Sequence, residues 1–272
     1  MTRPLRTCLC TLLLVAPVAP SAPSVADETA PTGRQIMEWV DARDDGDHST
    51  QDMQMLLIDK NGGQRKRTMR TFGMDKGEDN WSIMFFLEPA DVKDTGFLTY
   101  DYDDPERDDD QWLYLPALKK TKRIASGDKS GAFMGSDFTY SDMTDRNLDS
   151  YDYKLLQESE VAGQKVWVVE AIPNNKHEIK ETGYTKQVLF VRQDNYVVVR
   201  AKSWVKKGSR NKYFDIKKLE LIEGIWTPTE MHMTTKKGKK TLHKTVLVND
   251  NVKYDQEMDD DSFSVRKLEQ GL

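Results

Sequence analysis

The chain has 272 residues, with 45 acidic and 40 basic side chains and a net charge of −5. That balance does not suit a nucleic-acid binder. The length fits one large domain or two small ones. The two cysteines, Cys8 and Cys10, both lie near the amino terminus, so neither disulfides nor thiolate chemistry is expected in the rest of the chain.

Residues 1–26 read as a secretory signal peptide. Arg3 and Arg6 form a positive start, "CLCTLLLVAPVA" is apolar but short for a membrane span, and Ser24 and Ala26 precede a cleavage site after Ala26. Both cysteines precede most of the apolar run, whereas a lipoprotein signal would end its run at the acylated Cys. Soluble export to a periplasm is therefore expected, with no lipid anchor. Removing the two leader arginines takes the net charge from −5 to −7. No later segment is apolar for long enough to cross a membrane as a helix. Residues 27–272 are expected to form a single domain.

After the polar lead-in "DETAPTG", Ile36, Met37, Trp39 and Val40 cluster at helical spacing, with Thr32 as a possible cap. One amphipathic helix is predicted over 32–45. The pattern then changes to period two. "DMQMLLIDK" and "QRKRTMRTFGM" are predicted strands joined by "NGG" (61–63), a hairpin signal. In "NWSIMFFLEP", Trp81, Ile83, Phe85 and Leu87 share one face, and Met84 and Phe86 make the other face apolar too. "TGFLTYDY" and "QWLYLP" follow, on either side of the acidic connector "DYDDPERDDDQ". Beyond residue 150, seven more strand-like runs are separated by short turns such as "QDN", "IEG" and "KKGKK". About eleven to twelve strands without alternating helices exclude a doubly wound parallel sheet. An antiparallel meander curled into a barrel or half-barrel is expected.

Residues 117–150 break the series, with one weak strand, "KKTKRIAS", and no clear helix. Loops of that length inside a domain are usually functional or mobile. Within it, "GDKSGAFMGSDFTYSDM" (127–143) spaces Gly127, Gly131 and Gly135 four apart. The spacing matches neither a Walker loop nor a dinucleotide fingerprint, and no G-x-S-x-G elbow is present. Asp128 and Lys129 exclude a membrane GxxxG helix. Two readings remain: a surface loop tucked on the barrel, or a loop whose Phe133, Met134 and Phe138 cover an apolar cavity.

Other chemistry is sparse. His232 and His243 flank "KKGKK" and are expected nearly opposite each other on paired strands, but two histidines are too few for zinc. The other histidines are His48 and His177. The acidic run Asp101–Asp110 lacks EF-hand spacing and reads as a solvated, self-repelling connector. Lys119, Lys120, Lys122 and Arg123 suit either anionic lipid heads or an acidic partner, or a charged edge strand that blocks aggregation. No cofactor, metal site or catalytic constellation is indicated, and a hydrolase reading has no histidine in the long loop to support it. Aromatic residues on strands are more telling. Trp39, Trp81, Ile83, Phe85, Phe97, Trp112 and Tyr114, together with Phe133, Met134 and Phe138, are the candidate residues of a hydrophobic cavity and its lid.

The run "QWLYLPALKKTKRIASGDKSGAFMGSDFTYSDM" (111–143), with "FLEPADVKDTGFLTYDY" upstream and "DDDSFSVRKLE" at the end, resembles the outer membrane lipoprotein-sorting proteins, a LolA-like family. The resemblance spans nearly the whole exported chain. It implies an unclosed antiparallel barrel with a helix and loop lid over an apolar cavity. It also implies a monomeric, non-enzymatic periplasmic carrier of lipid or acylated protein, in transient contact with membrane surfaces. Such proteins are similar to ones encoded beside RND-type transporters, so an accessory module docking on such a transporter is the alternative expectation.

Overall fold

In a computed structural model of the protein, residues 30–104 and 106–272 are described, and Pro31–Leu272 pack as one unit. The predicted signal peptide lies outside the described residues. Helix α1 (Gly33–Asp41) opens the fold, and Thr32 caps it. The Thr32 hydroxyl accepts from the Gln35 amide (3.2 Å), and the Gln35 side chain accepts from the Thr32 amide (2.9 Å). The helix is shorter than the predicted 32–45 because "ARDDG" follows, ending in Gly46 at φ +90°. Gly33 is required where it stands. A Cβ there would lie 2.8 Å from the backbone of Lys154 and Leu155.

Six strands follow: β1 (His48–Asp59), β2 (Gln64–Lys76), β3 (Asp79–Glu88), β4 (Gly96–Asp101), β5 (Asp110–Leu115) and β6 (Lys120–Arg123). After the 124–150 segment come β7 (Tyr151–Val161), β8 (Gln164–Pro173), helix α2 (Lys176–Thr182), β9 (Tyr184–Arg192), β10 (Val198–Val205), β11 (Asn211–Ile222), β12 (Ile225–Lys237) and β13 (Lys240–Tyr254). Helix α3 (Val265–Gln270) closes the chain. The "NGG" hairpin between β1 and β2 forms as predicted. Asp59 Oδ1 accepts from the Asn61 and Gly63 amides, and Gly62 takes φ +87°.

All thirteen strands join one antiparallel sheet, ordered β6-β5-β4-β3-β2-β1-β13-β12-β11-β10-β9-β8-β7. This is slightly more than the eleven to twelve predicted. Each half is a meander, and pairing of β1 with β13 joins the halves. β6 and β7 are the two edges and do not pair with each other, so the sheet is curled but unclosed. β6 (KTKR) is the charged edge that the basic run suggested.

Period two gives the sheet two faces. On the inner face, the register aligns Leu113, Phe97 and Met84 across β5, β4 and β3. It likewise aligns Phe86, Met69 and Met53 across β3, β2 and β1. The outer face of β3–β5 carries Ile83, Phe85 and Leu98. Phe263 and Leu268 of the carboxy-terminal segment cover it, and the Tyr100 hydroxyl donates to the Phe263 carbonyl. Strand β3 is apolar on both sides because both sides are covered.

Candidate functional site: a lidded inner face

The segment between β6 and β7 crosses the inner face. Its tip closes on itself. The Phe133 amide donates to the Phe138 carbonyl (2.8 Å), the Ser136 amide to the Phe133 carbonyl (2.8 Å), and Ala132 bridges Thr139. Of the three glycines in "GDKSGAFMGSDFTYSDM", only Gly135 has positive φ (+75°). The turn throws Phe133 and Phe138 inward. Phe133 is fully buried, 5.0 Å from the Phe97 ring and 5.6 Å from the Tyr140 ring. The lid therefore does more than roof the apolar face; its phenyl rings occupy it.

That face is rich in methionine. Met53, Met55, Met69, Met84, Met134, Met143, Met231 and Met233 belong to or pack on the same cluster as Phe133, eight of the twelve in the chain. Thioether side chains are unbranched and polarizable and fill irregular space.

Polar clamps hold the lid. Gln187, Ser203, Lys212, Thr235 and His243 stand in register across five neighbouring strands, β9 to β13, on the inner face. The lid addresses this row with charged side chains. Asp137 is buried and accepts from Thr245 Oγ1 (2.8 Å), His243 Nδ1 (2.7 Å) and Thr235 Oγ1 (2.5 Å). Asp142 accepts from the Tyr184 hydroxyl (2.8 Å), which in turn accepts from the Lys212 ammonium (3.0 Å). Lys212 Nζ also lies 3.6 Å from Asp142. Burial pushes the Lys212 ammonium down and the Tyr184 phenol up from their ordinary values. Arg146 donates to the Gln187 side chain. Lys129, almost wholly buried, pairs with Glu181 of α2 and lies 3.6 Å from Asp109.

Beside the lid opens a cleft of about 520 Å³ that is polar and acidic, bounded by Asp41, Asp75, Asp101, Asp109, Asp145, Glu178 and Glu181. The acidic connector forms a wall of this cleft while Asp103, Asp104, Glu106 and Asp108 stay exposed to solvent, and two side chains tie it to β6 and the segment after it. Asp108 accepts from the Ser126 hydroxyl (2.6 Å), and Asp110 from Arg123 (2.7 Å). Asp108, His177 and Glu181 bring one ligand atom each within 4.8 Å of one another. Lys129 already neutralises Glu181 in this trio.

The crowding of carboxylates has a pH signature. Burial, reinforced by the neighbouring Asp145, pushes Asp101 up to about 8. Burial with Asp45 and Asp47 pushes Asp75 up to about 6. Both carboxyls retain protons in the fold at pH values where the unfolded chain, near 3.9, has lost them. Folding stability therefore declines as pH rises from about 4 to about 8. The melting temperature is expected to fall over that window, and Asp101→Asn to flatten the fall and raise the melting temperature at pH ~8 by several degrees. A pH profile unchanged by Asp101→Asn would exclude this origin.

The predicted cavity residues divide between the two faces. Phe97, Phe133, Met134 and Phe138 come together on the inner face. Trp81, Ile83, Phe85, Trp112 and Tyr114 lie on the outer face, under α3 and its approach. Strict alternation puts them there: Phe97 points inward, so Leu98 and its partner Trp112 point outward. Trp39 is partly exposed and packs tilted against Trp167 and Tyr196, with ring centroids 5.5 Å from each. His232 and His243 are not opposite each other. His243 pairs with Thr235 and His232 with Val246, because the turn sets Lys237 against Lys240 and the bulge after Thr235 adds one more residue of offset. The clamp residues Asp137, Asp142, Arg146, Lys212 and His243 escaped sequence reasoning. Lys212 and His243 carried one signal, a polar residue at an inward position of several adjacent strands, whereas Asp137, Asp142 and Arg146 lie in the lid and carried none.

A protein family described as "Uncharacterized protein" matches residues 78–270. A DUF1329 family protein from Desulfovibrio piger shares 32% identity over 87% of this chain and 97% of its own, with a TM-score of 0.79. The chain belongs to the DUF1329 family. A second structure, an outer membrane lipoprotein-sorting protein domain by name, from Vibrio parahaemolyticus, is 31% identical over 87% of this chain and 98% of its own (TM-score 0.78). A LolA superfamily protein from Nitrosomonas europaea shares the fold of this DUF1329 chain at 18% identity, covering 88% of it and 100% of its own length (TM-score 0.65). No curated protein matches by sequence. Among the described residues, no helix of the DUF1329 chain is long and apolar enough to cross a membrane.

Proposed function

We propose that this DUF1329 protein is a periplasmic carrier that holds the acyl chains of lipid or lipoprotein cargo on its inner face by reversible burial, without covalent chemistry. One observation carries the reading: Phe133 and Phe138 fill an apolar, methionine-rich face that the open sheet would otherwise expose. The lid acts as an internal stand-in for cargo. When empty, the carrier keeps its greasy surface dry. When loaded, the lid tip yields its place.

Magnitudes allow the exchange. Burying a Phe side chain is worth roughly 1.5–3 kcal/mol, and each methylene of an acyl chain about 0.8 kcal/mol. A sixteen-carbon chain, worth on the order of 10 kcal/mol gross, outcompetes two phenyl rings and leaves a surplus against binding costs of several kcal/mol. The kinship with a domain named for lipoprotein sorting supports the same direction.

The test is lipid mass spectrometry on protein purified from its native compartment, with titration of a fluorescent fatty-acyl probe. Acyl lipid in the purified protein, and competition between it and the probe, are expected. Empty protein that also ignores the probe would overturn the reading.

A further inference from the structure

Three neighbouring turns at one end of the sheet share a charge pattern. The β1–β2 turn carries Lys60, Arg65 and Lys66, all exposed. The β12–β13 turn carries exposed Lys237, Lys239 and Lys240. The β10–β11 turn carries exposed Lys206, Lys207 and Arg210. Register sets the first two turns side by side, since Asp59 pairs with His243. The third adjoins them, since Asn211 pairs with Lys236. Among the described residues, none of these nine bases forms an ion pair. The run Lys119–Arg123 behaves differently: Lys122 lies near Asp128, and Arg123 is bound to Asp110. Lys119 and Lys120 of that run are also exposed and, among the described residues, unpaired, so two free charges remain there against nine on the assembled rim.

The other end of the sheet is acidic. It holds the Asp101–Asp109 side of the cleft and the Asp255–Asp261 exit from β13, whereas the Glu178 and Glu181 wall on α2 borders the third turn, where the Lys206 amide donates to the Gly183 carbonyl (2.9 Å). A chain of net charge −5 is repelled as a whole by an anionic surface, so only an approach with the rim leading is favourable.

We propose that this rim docks the protein on bilayer surfaces bearing anionic phospholipid headgroups. The composition favours lipid over protein. Seven of the nine bases are lysines, which are depleted in protein interfaces where arginine is enriched, and the turn tips offer glycine and serine instead of an aromatic anchor. A headgroup layer needs neither fork geometry nor a pocket. Each lysine near such a surface is worth roughly fivefold in partitioning. The inference needs no cargo and stands apart from the carrier reading.

The test is co-sedimentation of the exported chain with vesicles of phosphatidylglycerol mixed into phosphatidylcholine, against phosphatidylcholine alone. It is run at about 0.1 M salt and again at about 1 M, where the Debye length falls from ~10 Å to ~3 Å. Binding to the anionic vesicles at low salt only is expected. The variant Lys237→Gln/Lys239→Gln/Lys240→Gln should lose at least tenfold in partitioning, and Lys206→Gln/Lys207→Gln severalfold. Both should keep the parent's melting temperature and acyl-probe affinity. Equal binding to neutral vesicles, full binding by either variant, or retention only by an acidic protein while vesicles are ignored would each overturn it.

Discussion

Phe133→Ala is expected to destabilise the fold by about 3–5 kcal/mol and, at the same time, to tighten binding of a fluorescent fatty-acyl probe by roughly tenfold or more. The first effect follows from burial. Phe133 is fully enclosed between Phe86, Phe97 and Tyr140, with ring centroids 6.3, 5.0 and 5.6 Å away. Removing the ring leaves a void that packed neighbours fill only in part. The second effect follows from the lid's proposed role as a competitor. Cargo must displace the phenyl ring, so a lid that holds less tightly lowers the apparent affinity less. A structural plug with no carrier role gives the first effect without the second. Urea melts read one, and probe titration on the folded variant reads the other. Loss of stability with unchanged or weakened probe binding would count against the carrier reading.

Asp142→Ala is expected to cost a further class of energy, about 3–5 kcal/mol, because it strands a buried cation. Lys212 Nζ sits 3.6 Å from Asp142 and donates to Tyr184, and burial already disfavours its charged form. The carboxylate is what makes that ammonium tolerable on the inner face. In the double variant Asp142→Ala/Lys212→Met no charge is left to strand, so most of the lost stability should return. The double-mutant cycle, read by denaturant melts, is the measurement. Equal destabilisation in the single and double variants would show that Asp142 serves only local packing of the lid.

The two variants probe different parts of one segment. Phe133 belongs to the tip that exchanges with cargo in the proposed cycle. Asp142 belongs to the base, where Asp142 and Arg146 grip Tyr184 and Gln187 of β9 and Lys212 of β11. The tip is held by apolar contact and by Asp137, which accepts from Thr235, His243 and Thr245, so in the proposed cycle those bonds are released with the phenyl rings while the base stays clamped. Phe133→Ala should therefore change probe binding more, per unit of lost stability, than Asp142→Ala does.

Much of the architecture was legible in the sequence. The change from helical to period-two spacing after residue 45 marks where the sheet begins, although α1 itself stops at Asp41. "NGG" and the later Gly-containing turns mark short antiparallel connections. The absence of alternating helices rules out a parallel sheet, and the 111–143 run points to the family and to a lid. These signals are local, because backbone dihedrals and turn chemistry depend on near neighbours.

What the sequence could not decide is which apolar face meets which cover. Alternation separates Phe97 from Leu98 and Met84 from Phe85, but it labels neither side as inner. Trp81, Phe85 and Trp112 read as cavity residues until α3, over 140 residues further on, is seen to cover them. Long-range register also made the charge pattern. Lys66, Lys207 and Lys239 are far apart in the chain and share one rim, while the exposed acidic run also forms the wall of a cleft. The polar row Gln187–Ser203–Lys212–Thr235–His243 exists only because five strands pair in one register, and bulges such as the one after Thr235 shift that register by a residue. The sequence by itself determined the strands and the turns, and left the 127–143 segment as either a tucked surface loop or a lid. Tertiary pairing alone decided what the lid touches, because burial and charge proximity are properties of the assembled sheet.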